Sequence, residues 1–476
     1  MPPPPPLDRR EFLKQAGLVG AAVSAGGLAA CGVGGSSSAP GGDSAAAGQW
    51  ITAPSASGPL PDPKESGIEH LVVVMMENRS FDHMLGWVPG ANGRQAGLLY
   101  PDAEGKLQAT HRLSTDYQGC GLEDPPHGYD HGHAIINGGR MDGFLRDTPV
   151  GDLFPIGYYT AEELPFYAGC AQEWTICDRY HSGMLASTQS NRMYIHCGQS
   201  DRNNNSGGLF DVLPKTSTLR TVWDAAAEAG VSTGYYFNNL PYTAIWGGKY
   251  LGISRPYASF ALEAAAGLLP AISYVDPFFY NDGLDHLCND DHPHADVRNG
   301  QSFLNGIYDA LRRSPTWDKT LMVICYDEWG GFFDHVEPPY MPVSDAERDE
   351  VGNDGRLGFR VPCVLIGPRA RRGHVEKMLL EPNSILKFME WRWGLEPLGV
   401  RAAATNNLAY ALDFNSAPRT EAPAFSVPLN PYSQICALGG IGLPAPGAAG
   451  MTGSMRAHAD EIEALQEKAR RAGFRW

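Results

Sequence analysis

The side chains best suited to chemistry in this sequence stand at the ends of two apolar segments. One segment leads directly into Glu77 and Asn78, and a second, far downstream, leads into Asp327 and Glu328. Carboxylate and amide oxygens are the ligands that hard divalent cations prefer, and open α/β sheets bind ligands beyond the carboxyl ends of their strands. A lone strand-end carboxylate is more often a solvated loop charge. Two matching ends instead predict one divalent metal ion held by these four residues.

A hydroxyl group at the start of a predicted helix is the candidate nucleophile. Residues 187–192 read Ser-Thr-Gln-Ser-Asn-Arg and precede an apolar stretch, which is typical of a loop entering a helix. The free N–H groups of a helix start bind phosphate oxygens, and a nearby cation favours the alkoxide. From the residues alone, Thr188 is either the nucleophile or a helix cap.

Histidines are the candidate proton donors, because a leaving alkoxide needs a proton and a bound phosphate needs hydrogen-bond donors. One polar segment carries His127, His131 and His133, and another carries His292 and His294. The spacing of His131 and His133 is that of one strand face, where they would either bind metal or face solvent.

The elements that must position these residues alternate between strand and helix. Predicted core strands and helices follow from short β-rich runs and from helical periodicity, with Asn383 expected to cap the last helix. The strands are 70–76, 232–237, 321–326 and 361–366, and the helices are 219–229, 301–313 and 384–393. This alternation predicts an α/β fold with a mainly parallel central sheet and helices on both faces.

Three long motifs resemble those of the bacterial phosphoesterases that include phospholipases C and a class of acid phosphatases. The resemblance covers roughly residues 68–400 and implies an alkaline-phosphatase-like fold. The motifs are Met76-Glu-Asn-Arg-Ser-Phe-Asp-His83, Asp290-Asp-His-Pro293 and Tyr326-Asp-Glu-Trp-Gly-Gly-Phe-Phe-Asp-His335.

The resemblance also implies roles around the candidate nucleophile. The family's usual motif is Pro-Thr-x-Pro-Asn-Arg, and Thr188, Asn191 and Arg192 are in register with it. Thr188 is thereby implied as nucleophile and metal ligand, and Asn191 and Arg192 as substrate-binding residues. Ser187 and Ser190 replace both prolines, which leaves open how rigid the loop is.

His127 and His292 match family positions and are implied as catalytic residues, while His294 is assigned to substrate binding. His335, with the aspartate before it, is interpreted as a structural bridge. The implied mechanism has two steps. Thr188 attacks phosphorus in line while a histidine protonates the departing alcohol, and water then cleaves the phosphothreonine.

The expected substrate is a phosphodiester, either a phospholipid or a small phosphate ester. Two alternatives remain open, an acid phosphatase acting on monoesters and a non-catalytic surface-binding lipoprotein. The motif around Glu77 is closer to phospholipases C, whereas the altered Thr188 loop and a predicted flexible tether at residues 31–65 support the lipoprotein. A net charge of −16 gives no sign of nucleic-acid binding and tolerates zwitterionic lipid head groups.

Residues 1–30 are expected to be an export signal. Asp8-Arg-Arg-Glu-Phe-Leu-Lys14 is a twin-arginine signature, and Leu28-Ala-Ala-Cys31 matches a lipobox. We expect export by the twin-arginine route to the periplasm or cell surface. If the lipobox is used, a lipid on Cys31 anchors the protein to a membrane surface.

The remaining chain divides by composition. Residues 31–65 form a predicted flexible linker, 66–415 the phosphoesterase domain, and 416–476 a C-terminal extension packed on that domain, ending in a charged helix at 456–472. Among the cysteines, no spacing fits a zinc site, and Cys170 with Cys177 is the best candidate disulfide. Cys325 and Cys363 lie in apolar runs and are expected to be buried thiols.

Overall fold

The computed structural model describes residues 59–201, 216–279, 287–430, 433, 436 and 453–476, all within one compact unit. The predictions for the export signal and for Cys31 lie outside the described residues. No helix within the described ranges is long and apolar enough to span a membrane.

Strands from along the whole chain form one central sheet of eight. The described strands are β1 (His70–Met76), β2 (Leu99–Pro101), β3 (Leu107–Ala109), β4 (His111–Arg112), β5 (Gly157–Tyr158), β6 (Thr175–Cys177), β7 (Thr233–Phe237), β8 (Ser254–Pro256), β9 (Ile272–Val275), β10 (Thr320–Tyr326), β11 (Cys363–Ile366) and β12 (His374–Glu376). The order in the sheet is β12-β6-β11-β10-β1-β9-β7-β8. β2 pairs with β3 and β4 with β5 outside it.

The prediction of a mainly parallel sheet is confirmed. β1 runs parallel to β10 and β9, β7 runs parallel to β9 and β8, and β6 runs parallel to β12. The predicted strand at 361–366 is the exception, because β11 is antiparallel to both β10 and β6. Parallel neighbours require a crossover connection. The described chain between β10 and β11 contains no α-helix to make one.

Helices surround the sheet, and the predicted ones are present with shifted ends. They are α1 (Phe81–Leu85), α2 (Tyr129–Ile136), α3 (Pro165–Glu173), α4 (Thr188–Cys197), α5 (Val222–Glu228), α6 (Ala258–Ala266), α7 (Val297–Arg312), α8 (Pro382–Trp393) and α9 (Gly453–Ala472). The cap predicted at Asn383 is wrong. The Glu381 side chain accepts a hydrogen bond from Asn383 N, and Pro382, which has no N–H to leave unpaired, takes the first helical position.

The centre of the sheet is fully enclosed. Every residue of β10 and all but the first of β1 are buried, as expected for parallel strands covered on both faces. The two strands pair in register, with Met76 opposite Tyr326. Since both strands are parallel and end together, the residues that follow them must emerge side by side.

The cysteine predictions are partly wrong. Cys170 and Cys177 are buried free thiols on α3 and β6, and the disulfide joins Cys120 to Cys436, whose Cα atoms lie 5.1 Å apart. Cys325 and Cys363 are buried thiols, as expected. The two cysteines are 316 residues apart in sequence, so their spacing could not predict the bond. Only the fold brings them close enough to form it.

Candidate active site

The ends of β1 and β10 place four buried polar residues together, here called the carboxylate site. Its members are Glu77, Asn78, Asp327 and Glu328. The two turns are tied by backbone groups: Asn78 N donates to Asp327 Oδ1 at 3.2 Å, and Asp327 N donates to Met76 O at 3.1 Å. The structure thus brings together the four predicted metal ligands.

The turns approach each other so closely that they require glycine. Gly330 has a φ of 62°, and a Cβ there would lie 2.2 Å from Asn78 O. Gly331 has a φ of 74°, and a Cβ there would lie 2.5 Å from the Pro125 Cβ. Residues with side chains rarely adopt such φ values. Both positions therefore require glycine for two reasons, the backbone conformation and the lack of room for a Cβ atom. The second contact also brings the His127 segment against the site.

Arg192 is a buried partner of three carboxylates. Its Nε donates to Glu77 Oε1 and Asp327 Oδ2, each at 3.2 Å, and its Nη1 lies 3.4 Å from Asp276 Oδ1. The guanidinium is buried and also reaches the carbonyls of Met75 and Met76. The protein thus engages this guanidinium as a counter-ion, and its substrate-binding role stays a prediction.

One arginine does not neutralise this group of acids. Burial raises the pKa of Glu77 and of Glu328 well above the usual range, and the charge of Asp327 raises both further. Burial also raises the pKa of Asp327, although Arg192 opposes that shift. Buried like charges of this kind are costly unless a further cation compensates them.

Two carboxylate oxygens have no hydrogen-bond donor among the described residues, namely Glu77 Oε2 and Glu328 Oε1. The side-chain nitrogen recorded against Glu328 Oε1 is His127 Nε2, at 3.4 Å. With the Asn78 amide oxygen and the Thr188 hydroxyl nearby, the donor set consists of anionic and neutral oxygens. That set fits a hard divalent ion.

Thr188 is the first residue of α4, and Ser187 occupies the cap position before it. The capping alternative for Thr188 is therefore wrong. Its Oγ1 instead donates to Asn78 Oδ1 at 3.3 Å, and the residue is 7% exposed. The hydroxyl thus lies at a helix start and against the carboxylate site, the two features that activate a nucleophile toward phosphate.

Asn191 holds the nucleophile loop in place. Its Oδ1 accepts a hydrogen bond from Met184 N at 2.9 Å, and its Nδ2 donates to the carbonyls of Ala186 and Ser187. The amide thus bonds to three backbone groups, and its role in substrate binding stays a prediction. These bonds supply the rigidity that the missing prolines would otherwise provide.

His127 and His292 both reach the site. His127 Nδ1 bonds to Pro125 O at 2.6 Å, while its Nε2 lies 3.3 Å from Asn78 Nδ2. His292 is buried, its Nδ1 contacts Pro293 O, and its Nε2 lies 3.9 Å from Asp124 Oδ2. Burial lowers the pKa of His292 well below the usual range, so this imidazole is neutral. Ligand atoms of Asp124, His127 and His292 lie within 4.8 Å of one another.

The other predicted histidines lie elsewhere. His294 Nε2 bonds to Leu122 O at 2.9 Å, and burial lowers the pKa of His294 to about 4. Its substrate-binding role stays a prediction. His131 and His133 lie on α2, not on a strand, and His133 pairs with Asp354 at 3.0 Å.

Sequence reasoning missed three residues that the structure brings to the site. Asp276 follows β9, the other parallel neighbour of β1, so the strand-end rule would have found it had that short strand been recognised. Asp124 stands in the same segment as His127. The third, His458 of α9, is 8% exposed and carries no local signal.

A second buried ionic group, here called the arginine cluster, lies further along the same two segments. Arg360 Nε donates to Asp334 Oδ1 at 2.9 Å, its Nη2 reaches Asp82 Oδ1 at 3.1 Å, and His335 Nδ1 contacts Asp82 Oδ2. His335 thus connects the segment after β10 to the segment after β1. This contact agrees with its interpretation as a structural bridge.

Residues 68–396 match the model of the Phosphoesterase family, and the chain belongs to that family. It is 31% identical to non-specific phospholipase C6 of Arabidopsis thaliana over 338 residues, 65% of this chain and 64% of the relative. It is 30% identical to phospholipase C A of Mycobacterium tuberculosis, over 78% of this chain and 82% of the relative. The chain spans slightly less than two thirds of the plant relatives it matches.

A solved structure described as a protein in the alkaline phosphatase superfamily, from Vibrio parahaemolyticus, overlaps 72% of this chain and 69% of its own. The identity is 11% and the TM-score is 0.37. The α/β class rests on the sheet topology itself.

Proposed function

We propose that this protein is a metal-dependent phosphoesterase of the phospholipase C type, which cleaves a phosphodiester through Thr188 and a covalent phospho-enzyme. The observation that carries the proposal is the pair of carboxylate oxygens, Glu77 Oε2 and Glu328 Oε1, that lack a donor among the described residues beside a helix-start hydroxyl. Buried anionic oxygens without donors are costly, so their retention favours a bound cation.

Glu77, Asn78, Asp327, Glu328 and Thr188 would hold one divalent ion. When bound, such an ion supplies positive charge that favours the Thr188 alkoxide and stabilises charge on the phosphate. Arg192 and Asn191 hold the carboxylates and the nucleophile loop in position.

The reaction would proceed in two balanced steps. The Thr188 alkoxide forms a bond to phosphorus as the bond to the leaving oxygen breaks, and His127 gives its proton to that oxygen. Water then bonds to phosphorus, His127 takes the proton back, and the bond to Thr188 Oγ1 breaks. His127 suits this role because its side chain is 13% exposed, whereas neutral, buried His292 suits hydrogen bonding to the phosphate.

The relatives named phospholipases C support a diester substrate over a monoester. The alternative of a non-catalytic lipoprotein rests on the altered Thr188 loop and on the predicted flexible linker, which would act as a tether. Asn191 offsets the loss of both prolines in that loop, so the first of these supports is weakened.

A paired assay tests the proposal. The protein is loaded in parallel with several divalent metals and offered p-nitrophenylphosphorylcholine and p-nitrophenyl phosphate. We expect turnover of the diester. Turnover of the monoester alone would replace the proposal with an acid phosphatase, and no turnover of either with any metal would favour the binding lipoprotein.

We further propose that the protein is exported by the twin-arginine route and anchored through Cys31. The supporting features are the Arg9-Arg10 signature and the lipobox. Cys31→Ala should move the protein from the detergent phase to the aqueous phase, with unchanged specific activity on a soluble substrate. Unchanged partitioning would instead indicate ordinary signal cleavage and a free secreted protein.

A further inference from the structure

The last helix of the chain, α9, carries a histidine into the catalytic region. The rings of His458 and His292 are stacked with centroids 3.6 Å apart and planes 10° apart. Ligand atoms of Glu77, His292 and His458 all lie within 4.8 Å of one another. A residue from the C-terminal extension thus lies against a predicted catalytic histidine and a predicted metal ligand.

His458 is on the inner face of its helix, not on a solvated one. The buried residues recur at helical spacing. They are His458, Ile462, Leu465 and Ala469. On the same helix, Glu461 Oε2 lies 3.8 Å from His458 Nδ1 and pairs with it, while the flat face of the ring lies against His292.

Further contacts hold α9 in this place. Gln466 Nε2 donates to Asn239 O at 3.1 Å, and the Asn239 side chain in turn bonds to both backbone groups of Phe279. The Phe279 ring packs against the Arg192 guanidinium at 4.7 Å. The helix is therefore linked to the counter-ion of the carboxylate site as well as to His292.

A covalent link also joins the C-terminal extension to this region. The Cys120–Cys436 disulfide joins the extension, upstream of α9, to the segment that continues to Asp124 and His127. The extension is thus attached at two points next to the candidate catalytic histidines. These two attachments fix the extension to the domain, unlike a tail that only lies along the surface.

We propose that His458 is a positioning residue of the active site, whose ring packs flat against His292 and holds that imidazole facing Glu77 and Asp124. The inference rests on the proposed function and deepens it, because it makes the C-terminal extension part of the catalytic centre. A misplacement of a reacting group by about 1 Å can cost roughly a hundredfold in rate. Loss of the stacked ring should therefore lower kcat more than it changes KM.

Two variants at this position and one control test the proposal in the full-length, metal-loaded protein. His458→Ala removes the ring and should lower kcat on the diester by about 10- to 100-fold, with KM and bound metal unchanged. His458→Phe keeps a flat ring without nitrogen and should restore most of kcat. His374→Ala, on the edge strand β12, removes a half-buried histidine outside the site and should have no effect.

Thermal unfolding establishes that each variant is folded before its kinetics are interpreted. Wild-type kcat in His458→Ala would overturn the proposal. A His458→Phe variant as slow as His458→Ala, with less bound metal, would also overturn it and make His458 a metal ligand.

A spectroscopic readout separates this inference from the proposed function. In long-range ¹H–¹⁵N spectra, the His292 imidazole signals should shift in His458→Ala and stay unchanged in His374→Ala. If the wild type hydrolyses neither ester, the proposed function fails, while the spectra still decide whether His458 positions His292. Unchanged His292 signals in His458→Ala would overturn the positioning role whatever the activity.

Discussion

The carboxylate site and the arginine cluster are built from the same two stretches of chain, immediately after β1 and β10, and both are buried. In the arginine cluster every carboxylate oxygen has a donor: Arg360 serves both acids, Arg94 N and His335 N serve Asp82, and Val336 N serves Asp334. In the carboxylate site two oxygens have none among the described residues. Both groups contain neighbouring buried acids, but only in the arginine cluster does every carboxylate oxygen accept a hydrogen bond from a described residue.

This difference indicates which of the two acidic groups is the candidate for binding a metal ion. In the arginine cluster, ligand atoms of Asp82, Asp334 and His335 lie within 4.8 Å of one another. At the carboxylate site, Glu77 forms such a set with His292 and His458. In the arginine cluster, burial raises the pKa of Asp334 to about 6 while Arg360 opposes that shift, so its charge is paired within the protein. The carboxylate site is therefore the candidate for an added cation, because it combines two oxygens without a hydrogen-bond donor among the described residues with neighbouring like charges.

The largest expected effect concerns the nucleophile beside the carboxylate site. Thr188→Ala should lower turnover by several powers of ten, on the order of 4 to 8 kcal/mol of activation free energy, with the fold and metal content retained. Thr188→Ser is the matched control, because it keeps a hydroxyl and should keep measurable turnover. Retention of a tenth of wild-type activity in Thr188→Ala would exclude Thr188 as the nucleophile.

The next effect should appear in the arginine cluster as a loss of stability. Asp334→Ala leaves Arg360 buried with one carboxylate fewer, and breaking a buried ion pair in this way costs about 3 to 5 kcal/mol. Chemical denaturation should show this decrease in the free energy of unfolding. Metal content per folded molecule should stay at the wild-type value, and a loss of metal without a loss of stability would contradict the assignment of the two groups.

The smallest expected effect concerns the carboxylate site, where a substitution should weaken metal binding and leave stability nearly unchanged. Glu77→Gln replaces an anionic ligand with a neutral one and should weaken metal affinity by about 10- to 100-fold, roughly 1.4 to 2.8 kcal/mol. The metal-free protein should keep its free energy of unfolding within about 1 kcal/mol, since a buried charge is removed together with its desolvation cost. Isothermal titration with divalent metals and unfolding in chelator measure the two quantities, and full activity after exhaustive chelation would exclude the metal site.

Local pattern alone determined the central part of this protein. β1 is predicted to its last residue because a β-rich run of seven residues, covered on both faces, has no other way to bury its side chains. The adjacency of Glu77 and Asp327 follows from two parallel strands ending at one edge of the sheet. Motif resemblance placed Thr188 and His127, and both lie against the carboxylate site.

The tertiary structure decided what no short segment encodes. The direction of β11, the Cys120–Cys436 bridge and the use of Arg192 as a counter-ion depend on contacts between residues far apart in sequence. His458 is the extreme case, since it reaches His292 from the last helix of the chain. The physical reason is that periodicity reports which face of an element is buried, whereas the partner on that face is set only when the whole chain packs.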